Sequence, residues 1–532
     1  MSIVLCRFRL FALLVLFLAG VSLMHARGHI PSSRGIETPL AAEQPTLAHT
    51  QIVAGEAAAH AQCATCHKFA APDVLPRSRW RDEIARMFLI QNNQPEPNGP
   101  PGTAARIVRL PPDWLSIVGY YEANAPEHLA ALATWPEPDQ TLPFRKRVVS
   151  LASRQSNQAV ANIRLVDLDR DGRLEMVLSD MRNGIVYTAK PYDEQPTFVE
   201  IARLSNPAHI EPIDLDGDGV LDFLIGDLGG VLPSDHDRGA VVALRGRKDG
   251  TYVPMTLEHW ARVSDVEAAD FDGDGRLDLA VAMFGWRRTG ALTILKNETV
   301  DYGKPSFVPN QIDKRTGSIH AIPVDVNGDN RPDLVTLFAQ EHETVVAFLN
   351  QGGMRFDPQV IYAAPHPAWG SSGIQVVDLD KDGDFDVVAT NGDTFDDKIL
   401  KPYHGIQWLE NKGTFPFTEH TLATMAAVTR AQAADLDGDG DLDIVACALV
   451  SSEDVETRNL PSVVWLEQTR PGVFERHVLE VGHPTHATLD TGDIDGDGDV
   501  DIVVGHFTLD APVQGLVTIF ENLRMSNTGS RR

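Results

Sequence analysis

A nine-residue acidic segment, close to D-x-[DN]-x-D-G-x-x-[DE], occurs seven times in this chain and limits the folds open to it. The copies begin at Asp167 (DLDRDGRLE), Asp214 (DLDGDGVLD), Asp270 (DFDGDGRLD), Asp325 (DVNGDNRPD), Asp378 (DLDKDGDFD), Asp435 (DLDGDGDLD) and Asp493 (DIDGDGDVD). Their starts lie 47, 56, 55, 53, 57 and 58 residues apart, a steady period of the kind that marks repeat architectures. A short apolar stretch precedes each segment and another follows it, as in LDLAVAMFG after Asp270 and LDIVACALV after Asp435. A third follows, as in GALTILKN, HGIQWLEN, SVVWLEQ and GLVTIFEN, and a fourth opens with an aromatic, as in FTEHTL and FERHVL. These stretches have strand length and are separated by Gly, Asn or Asp turns. Four strands in each of seven repeats predict an all-β seven-bladed propeller over residues 140–525. The last repeat has no fourth stretch of its own, whereas residues 144–151 (FRKRVVSL) resemble FERHVLEV and precede the first acidic segment. They are expected to complete the last blade beside residues 515–523 and close the ring, removing an open sheet edge.

The acidic segments carry chemistry as well as turns. Side chains at positions 1, 3 and 5 of a tight loop converge, glycine permits the bend, and a carboxylate at position 9 closes the cage. The expected ligands are Asp167, Asp169, Asp171 and Glu175, then Asp214, Asp216, Asp218 and Asp222, then Asp270, Asp272, Asp274 and Asp278. The fourth and fifth loops offer Asp325, Asn327, Asp329 and Asp333, and Asp378, Asp380, Asp382 and Asp386. The last two offer Asp435, Asp437, Asp439 and Asp443, and Asp493, Asp495, Asp497 and Asp501. An oxygen-only, flexible set of this kind suits Ca²⁺, up to seven ions in all. The flanks are strand-like and the last acid falls at position 9 rather than 12, so these are not EF-hands. The plain alternative is a family of Asp-Gly turns held by Asx hydrogen bonds, which accounts for one or two acids per loop. The first loop ends in Glu175, whose extra methylene alters its denticity; the fourth, with Asn327 and Pro332, has one charge fewer and a stiffer backbone.

Composition narrows the function. At 532 residues the chain is too long for one ordinary core, so a second domain is expected. Hydrophobic residues at 43% and charged residues at 23% fit a folded protein. With 46 Lys and Arg against 74 Asp and Glu, the formal charge is −28, which excludes a phosphate-tracking nucleic-acid binder. Seven bound divalent cations would halve that charge. Four cysteines cannot make a disulfide scaffold. Arg7 and Arg9 precede an apolar run at residues 10–24, followed by small residues up to Ala26. This reads as an export signal over residues 1–26, with an uncleaved N-terminal anchor as the alternative. Residues 27–49 read as a linker and 526–532 as a tail, and no later stretch is long enough to span a bilayer.

Cys63-Ala64-Thr65-Cys66-His67 is C-x-x-C-H, the attachment pattern of a c-type haem. Two thiols one short turn apart can bond both vinyl groups of one porphyrin, and the adjacent imidazole then lies under the iron. A zinc site would need more soft ligands, and the other cysteines are Cys6, in the export signal, and Cys447, a core residue of a strand. GEAAAHAQ before Cys63 reads as helix, unlike the strand–helix setting of a thioredoxin motif. Residues 113–123 (DWLSIVGYYEA) put Trp114, Ile117, Val118 and Tyr121 on one helical face. Here residues 50–135 resemble cytochrome c domains, in which a terminal aromatic-bearing helix packs on the helix before the haem cysteines. That resemblance implies a sixth ligand, usually Met. Met87 is the only methionine between His67 and Met176, although SRWRDEIARMFLIQ reads as an amphipathic helix and Met87 also suits core filling. His60 and His128 are the substitutes.

The acidic repeats resemble FG-GAP/VCBS repeats, the calcium-loop propellers of integrin heads and many secreted bacterial proteins. The combination resembles exported bacterial cytochrome–VCBS fusions. It implies a periplasmic or extracellular electron-transfer protein, soluble or tethered, with one covalent haem c, a redox partner protein, and a propeller that binds a carbohydrate or protein ligand. A second expectation is a sugar or alcohol oxidoreductase that passes electrons to the haem; a third is adhesion. No acid–base pair stands out among so many carboxylates. His209, His320 and His486 precede their acidic loops at similar offsets and read as structural.

Overall fold

The computed structural model describes residues 49–524 apart from 66, 98, 140, 152–156, 451–458, 483 and 509–514. The expected leader, the linker up to residue 48, Cys66 and the tail lie outside the described residues. Four α-helices come first: α1 (His49–Cys63), α2 (Arg77–Gln91), α3 (Thr103–Ile107) and α4 (Pro112–Asn124). The alanine-rich run through residue 61 favours α1, and Pro112 starts α4 where a missing N–H costs nothing. Helices α1 and α4 cross closely at Gly55, where a Cβ would lie 2.3 Å from the Ser116 carbonyl oxygen and 2.8 Å from Tyr120 Cβ. Only glycine permits this approach. Trp80, Ile84, Ile117 and Tyr121 fill the core of this helical unit.

The remaining described strands form seven four-stranded antiparallel sheets, the expected propeller blades. Their inner strands are Val160–Val166, Pro207–Ile213, Val263–Ala269, Ser318–Val324, Ser371–Val377, Val428–Ala434 and His486–Gly492. They run side by side around the ring. Each acidic loop joins an inner strand to the second strand of the same blade. Second strands such as Asp222–Asp227 and Asp333–Phe338 are buried at every residue, whereas outer strands such as Phe307–Asp313 are largely exposed. The core therefore lies between blades: Val177 and Val186 of the first pack with Phe223, Ile225 and Leu244 of the second.

Ring closure follows the sequence expectation. Phe144–Val149 pairs antiparallel with Val517–Asn522, from Phe144 opposite Asn522 to Val149 opposite Val517. The last blade thus draws its outer strand from the start of the propeller and its other three strands from the end.

Two sequence readings need correction. Position 6 of the fourth acidic loop is Asn330, not glycine, yet it holds φ 64°, within the left-handed range of Gly219 (83°) and Gly275 (87°). Asparagine tolerates that conformation, so the bend survives. The three histidines do not share one position. His209 and His320 each directly follow the bulge of their inner strand, whereas His486 directly precedes its own and pairs with Glu480.

Candidate functional site

In every acidic loop the carboxylates first serve the backbone. Asp214 accepts from Asp218 N at 3.1 Å and Gly219 N at 2.9 Å, and Asp218 accepts from Val220 N at 2.8 Å. The position-9 acid does more than close a cage. Asp501 accepts from Ile494 N at 2.9 Å in its own loop and from Asn522 N at 2.7 Å at the end of the third strand. Asp278, Asp333, Asp386 and Asp443 make the same pair of bonds. Burial, only partly offset by these donors, pushes Asp278, Asp333, Asp386 and Asp443 up to about 6 and Asp501 to about 7. In the first loop the longer Glu175 instead takes Leu168 N at 2.9 Å and the Tyr192 hydroxyl at 2.9 Å. The amides that complete this latch, Asn297, Asn350, Asn411, Gln468 and Asn522, were not singled out in the sequence. Their signal was there: each is the last residue of a recurring LKN, FLN, LEN, LEQ or FEN.

The same loops converge enough oxygen for a cation. One atom from each of Asp167, Asp169 and Glu175 lies within 4.8 Å of the others, as do those of Asp270, Asp272 and Asp278, of Asp378, Asp380 and Asp386, and of Asp214, Asp216 and Asp218. Asp378 Oδ1 is buried without a hydrogen-bond partner. The loops differ at position 3. Lys190 meets Asp169 at 3.2 Å, Lys296 meets Asp272 at 2.6 Å, Arg245 meets Asp216, and Arg524 meets Asp437 at 3.4 Å. In the fifth and seventh loops an acid occupies that side: burial, the loop's own aspartates and then Glu410 or Glu521 hold Asp380 and Asp495 above the ordinary carboxylate range.

The helical unit brings Cys63, Phe69, Trp80, Met87, Trp114 and Tyr121 into one cluster. His67 Nδ1 lies 2.7 Å from the Lys68 carbonyl. A carbonyl only accepts, so Nδ1 is the donor in this contact. The Tyr121 hydroxyl donates to Ala70 O at 2.8 Å beneath a stacked Trp80, and burial raises that phenol above its ordinary range. Met87 is half-buried on α2; His60 is stacked on Phe69 at 3.8 Å; His128 is exposed. Cys447 is fully buried in the propeller core, as expected.

The helical unit touches the fourth and fifth blades. Lys68 Nζ donates to Ala363 O at 3.0 Å and Ala364 O at 2.6 Å, and the Tyr403 hydroxyl donates to Val74 O at 3.1 Å. A cavity of about 340 Å³ opens at this junction, lined by Phe69, Ala71, Asp73, Val74, Pro365, His366 and Tyr403. Burial and then Lys401 lower the His366 imidazole to about 4, and its Nδ1 is buried without a hydrogen-bond partner. Among the described residues no helix is long and apolar enough to cross a membrane.

Comparison with known proteins identifies FG-GAP-like repeats at residues 214–281, 303–389 and 390–446. No curated protein matches the chain. Among solved structures, BBS1N in complex with ARL6DN is 10% identical, with a TM-score of 0.42 over 72% of this chain and 98% of that one. Virginiamycin B lyase from Staphylococcus aureus is 12% identical, with a TM-score of 0.44 over 71% and 99%. Rhamnogalacturonan lyase YesW is 16% identical, with a TM-score of 0.37 over 73% and 76%. The blade count rests on strand pairing, not on these distant likenesses.

Proposed function

We propose that the chain is an exported monohaem c-type cytochrome that transfers electrons, with a calcium-stabilised FG-GAP propeller as the platform for its redox partner or another protein or carbohydrate ligand. The observation that supports this reading is the sequence motif Cys63-x-x-Cys66-His67, which starts at the last residue of α1, together with the His67 Nδ1 contact to the Lys68 carbonyl, which would leave Nε2 for the iron. Cys63 and Cys66 would hold the porphyrin through thioethers, and His67 would hold the iron. When bound, haem supplies reversible one-electron exchange. The chain's part is to fix the imidazole, bury Cys63 and shield one side with Trp80 and Tyr121. Met87 is the expected sixth ligand. Calcium fits the loops through their oxygen-only donors and the orphaned Asp378 Oδ1.

A visible spectrum of the reduced protein tests the haem. The expected result is sharp α and β bands from pigment that stays attached under denaturation, and its loss in Cys63→Ala/Cys66→Ala. Correctly matured protein without colour would refute the proposal. A near-infrared Met–iron band that disappears in Met87→Ala identifies the sixth ligand; an unchanged band rejects Met87.

The junction cavity favours a second reading, an oxidoreductase whose small substrate binds between Phe69 and His366 beside the haem motif. Its volume falls in the range of small-molecule sites. Turnover of sugars or alcohols with an artificial acceptor, reduced in His366→Phe, would support the enzyme; no turnover leaves the carrier.

A further inference from the structure

Six side chains on the inner strands of the first four blades cluster away from both sites described above. They are Arg164, His209, Glu211, Asp265, Glu267 and His320. His209 and Asp265 are 5% and 1% exposed, so both are effectively withdrawn from bulk water. His209 Nδ1 approaches Asp265 Oδ1 at 2.9 Å, and His209 Nε2 approaches Glu267 Oε1 at 3.5 Å. Asp265 Oδ1 is thus engaged by His209 Nδ1, whereas His209 Nε2 has no hydrogen-bond partner. One ring nitrogen is buried beside a carboxylate with its bonding capacity unused, an arrangement that costs stability unless something else is bound there.

The charges do not balance either. Arg164 lies 3.4 Å from Glu211 and 3.7 Å from Glu267, so one guanidinium faces three carboxylates, Glu211, Asp265 and Glu267. Arg430 and Asp490 adjoin the cluster and add one charge of each sign. Burial, then the charges of Glu211 and Asp265, holds Glu267 well above the ordinary carboxylate range. One divalent cation would neutralise this excess.

Geometry and donor chemistry narrow the ion. One ligand atom from each of His209, Asp265 and Glu267 lies within 4.8 Å of the others. A tetrahedral ion with bonds of about 2.1 Å separates its ligands by about 3.4 Å, close to the Nε2–Oε1 spacing and too long for a good hydrogen bond. Asp265 is also oriented from outside the trio, since its Oδ2 accepts from Ala321 N at 2.9 Å and lies 3.5 Å from His320 Nδ1. A nitrogen donor beside carboxylates suits a first-row transition ion, whereas the acidic loops offer oxygen alone.

We propose that His209, Asp265 and Glu267 bind a single divalent transition-metal ion along the inner strands of the propeller, chemically separate from the acidic loops. The test is zinc titration of full-length protein stripped with a chelator and then held in excess calcium, which saturates oxygen-only sites. One equivalent of zinc is retained, bound about tenfold or more weakly in His209→Ala and Glu267→Gln and unchanged in His259→Ala, an exposed outer-strand histidine. Zinc X-ray absorption of the unmutated protein, which needs no variant to fold, shows nitrogen and oxygen neighbours alone. Absence of zinc binding in excess calcium would overturn the site. So would unaltered affinity in both variants, or a sulfur neighbour at about 2.3 Å, which would put the ion on the cysteines.

Discussion

Glu480 shows how much one side chain can tie together. It lies on the outer strand of the sixth blade, meets His486 Nε2 at 3.2 Å on the inner strand of the seventh, and takes Lys146 Nζ at 2.7 Å from the closing strand. Burial alone would raise its carboxyl, but His486 and Lys146 outweigh burial and lower it from 4.5 to about 2. A folded value below the unfolded one means stability present above pH 4.5 and lost as pH falls from there through about 2. Glu480→Gln is expected to cost on the order of 2–3 kcal/mol at neutral pH and to flatten the acid limb of the melting curve over that window. Thermal unfolding at several pH values checks this; parallel acid limbs in both proteins would dismiss the pair. Nothing in the sequence marks Glu480, because His486 meets it across a blade boundary and Lys146 comes from the opposite end of the propeller sequence.

At the level of elements, the blades were legible and their fastenings were not. Alternating apolar runs such as LDIVACALV and the 47- to 58-residue period report strands and repeats directly, since hydrophobic burial leaves a periodic trace. The bonds from Asn350 N to Asp333 and from the Asn350 side chain to the Pro332 and Phe271 carbonyls leave no hydrophobic trace, only the recurring Asn or Gln that ends the third apolar stretch from the third blade onward. The shared place of His209 and His320 was legible in their equal offset from Asp214 and Asp325, but their meeting at Asp265 was not, because it joins three blades. Asn350→Ala strands two buried carbonyls and should cost about 2 kcal/mol or more, read as a lower melting temperature. In the helical unit, Gly55→Val forces α1 and α4 apart at a 2.3 Å approach. On the proposed haem reading the expected outcome is loss of attached pigment in matured protein; full pigment yield would show that the crossing does not shape the site.

Over the whole molecule, seven acidic loops are joined to the blades they serve. Position-9 acids tie every loop but the first to the third strand of its blade, so an ion bound by such a loop stabilises the folded ring. Chelation is expected to lower the melting temperature by several degrees and calcium to restore it; an unmoved midpoint would count against the loops as calcium sites. The fifth and seventh loops, where Glu410 and Glu521 replace the basic neighbour, should fill first in a calcium titration.

The closing strand also imposes an order of events. Arg145 and its partner Glu521 stand 376 positions apart, so a chain emerging from its N-terminus delivers one side of the last blade long before the other. Until the final strand arrives, six blades can assemble but the circle stays breached, while the Cys63–His67 segment, which precedes them all, has long since emerged. A chain cut short anywhere before residue 517 would carry Phe144–Val149 as an orphan ribbon, primed to pair with a neighbouring copy.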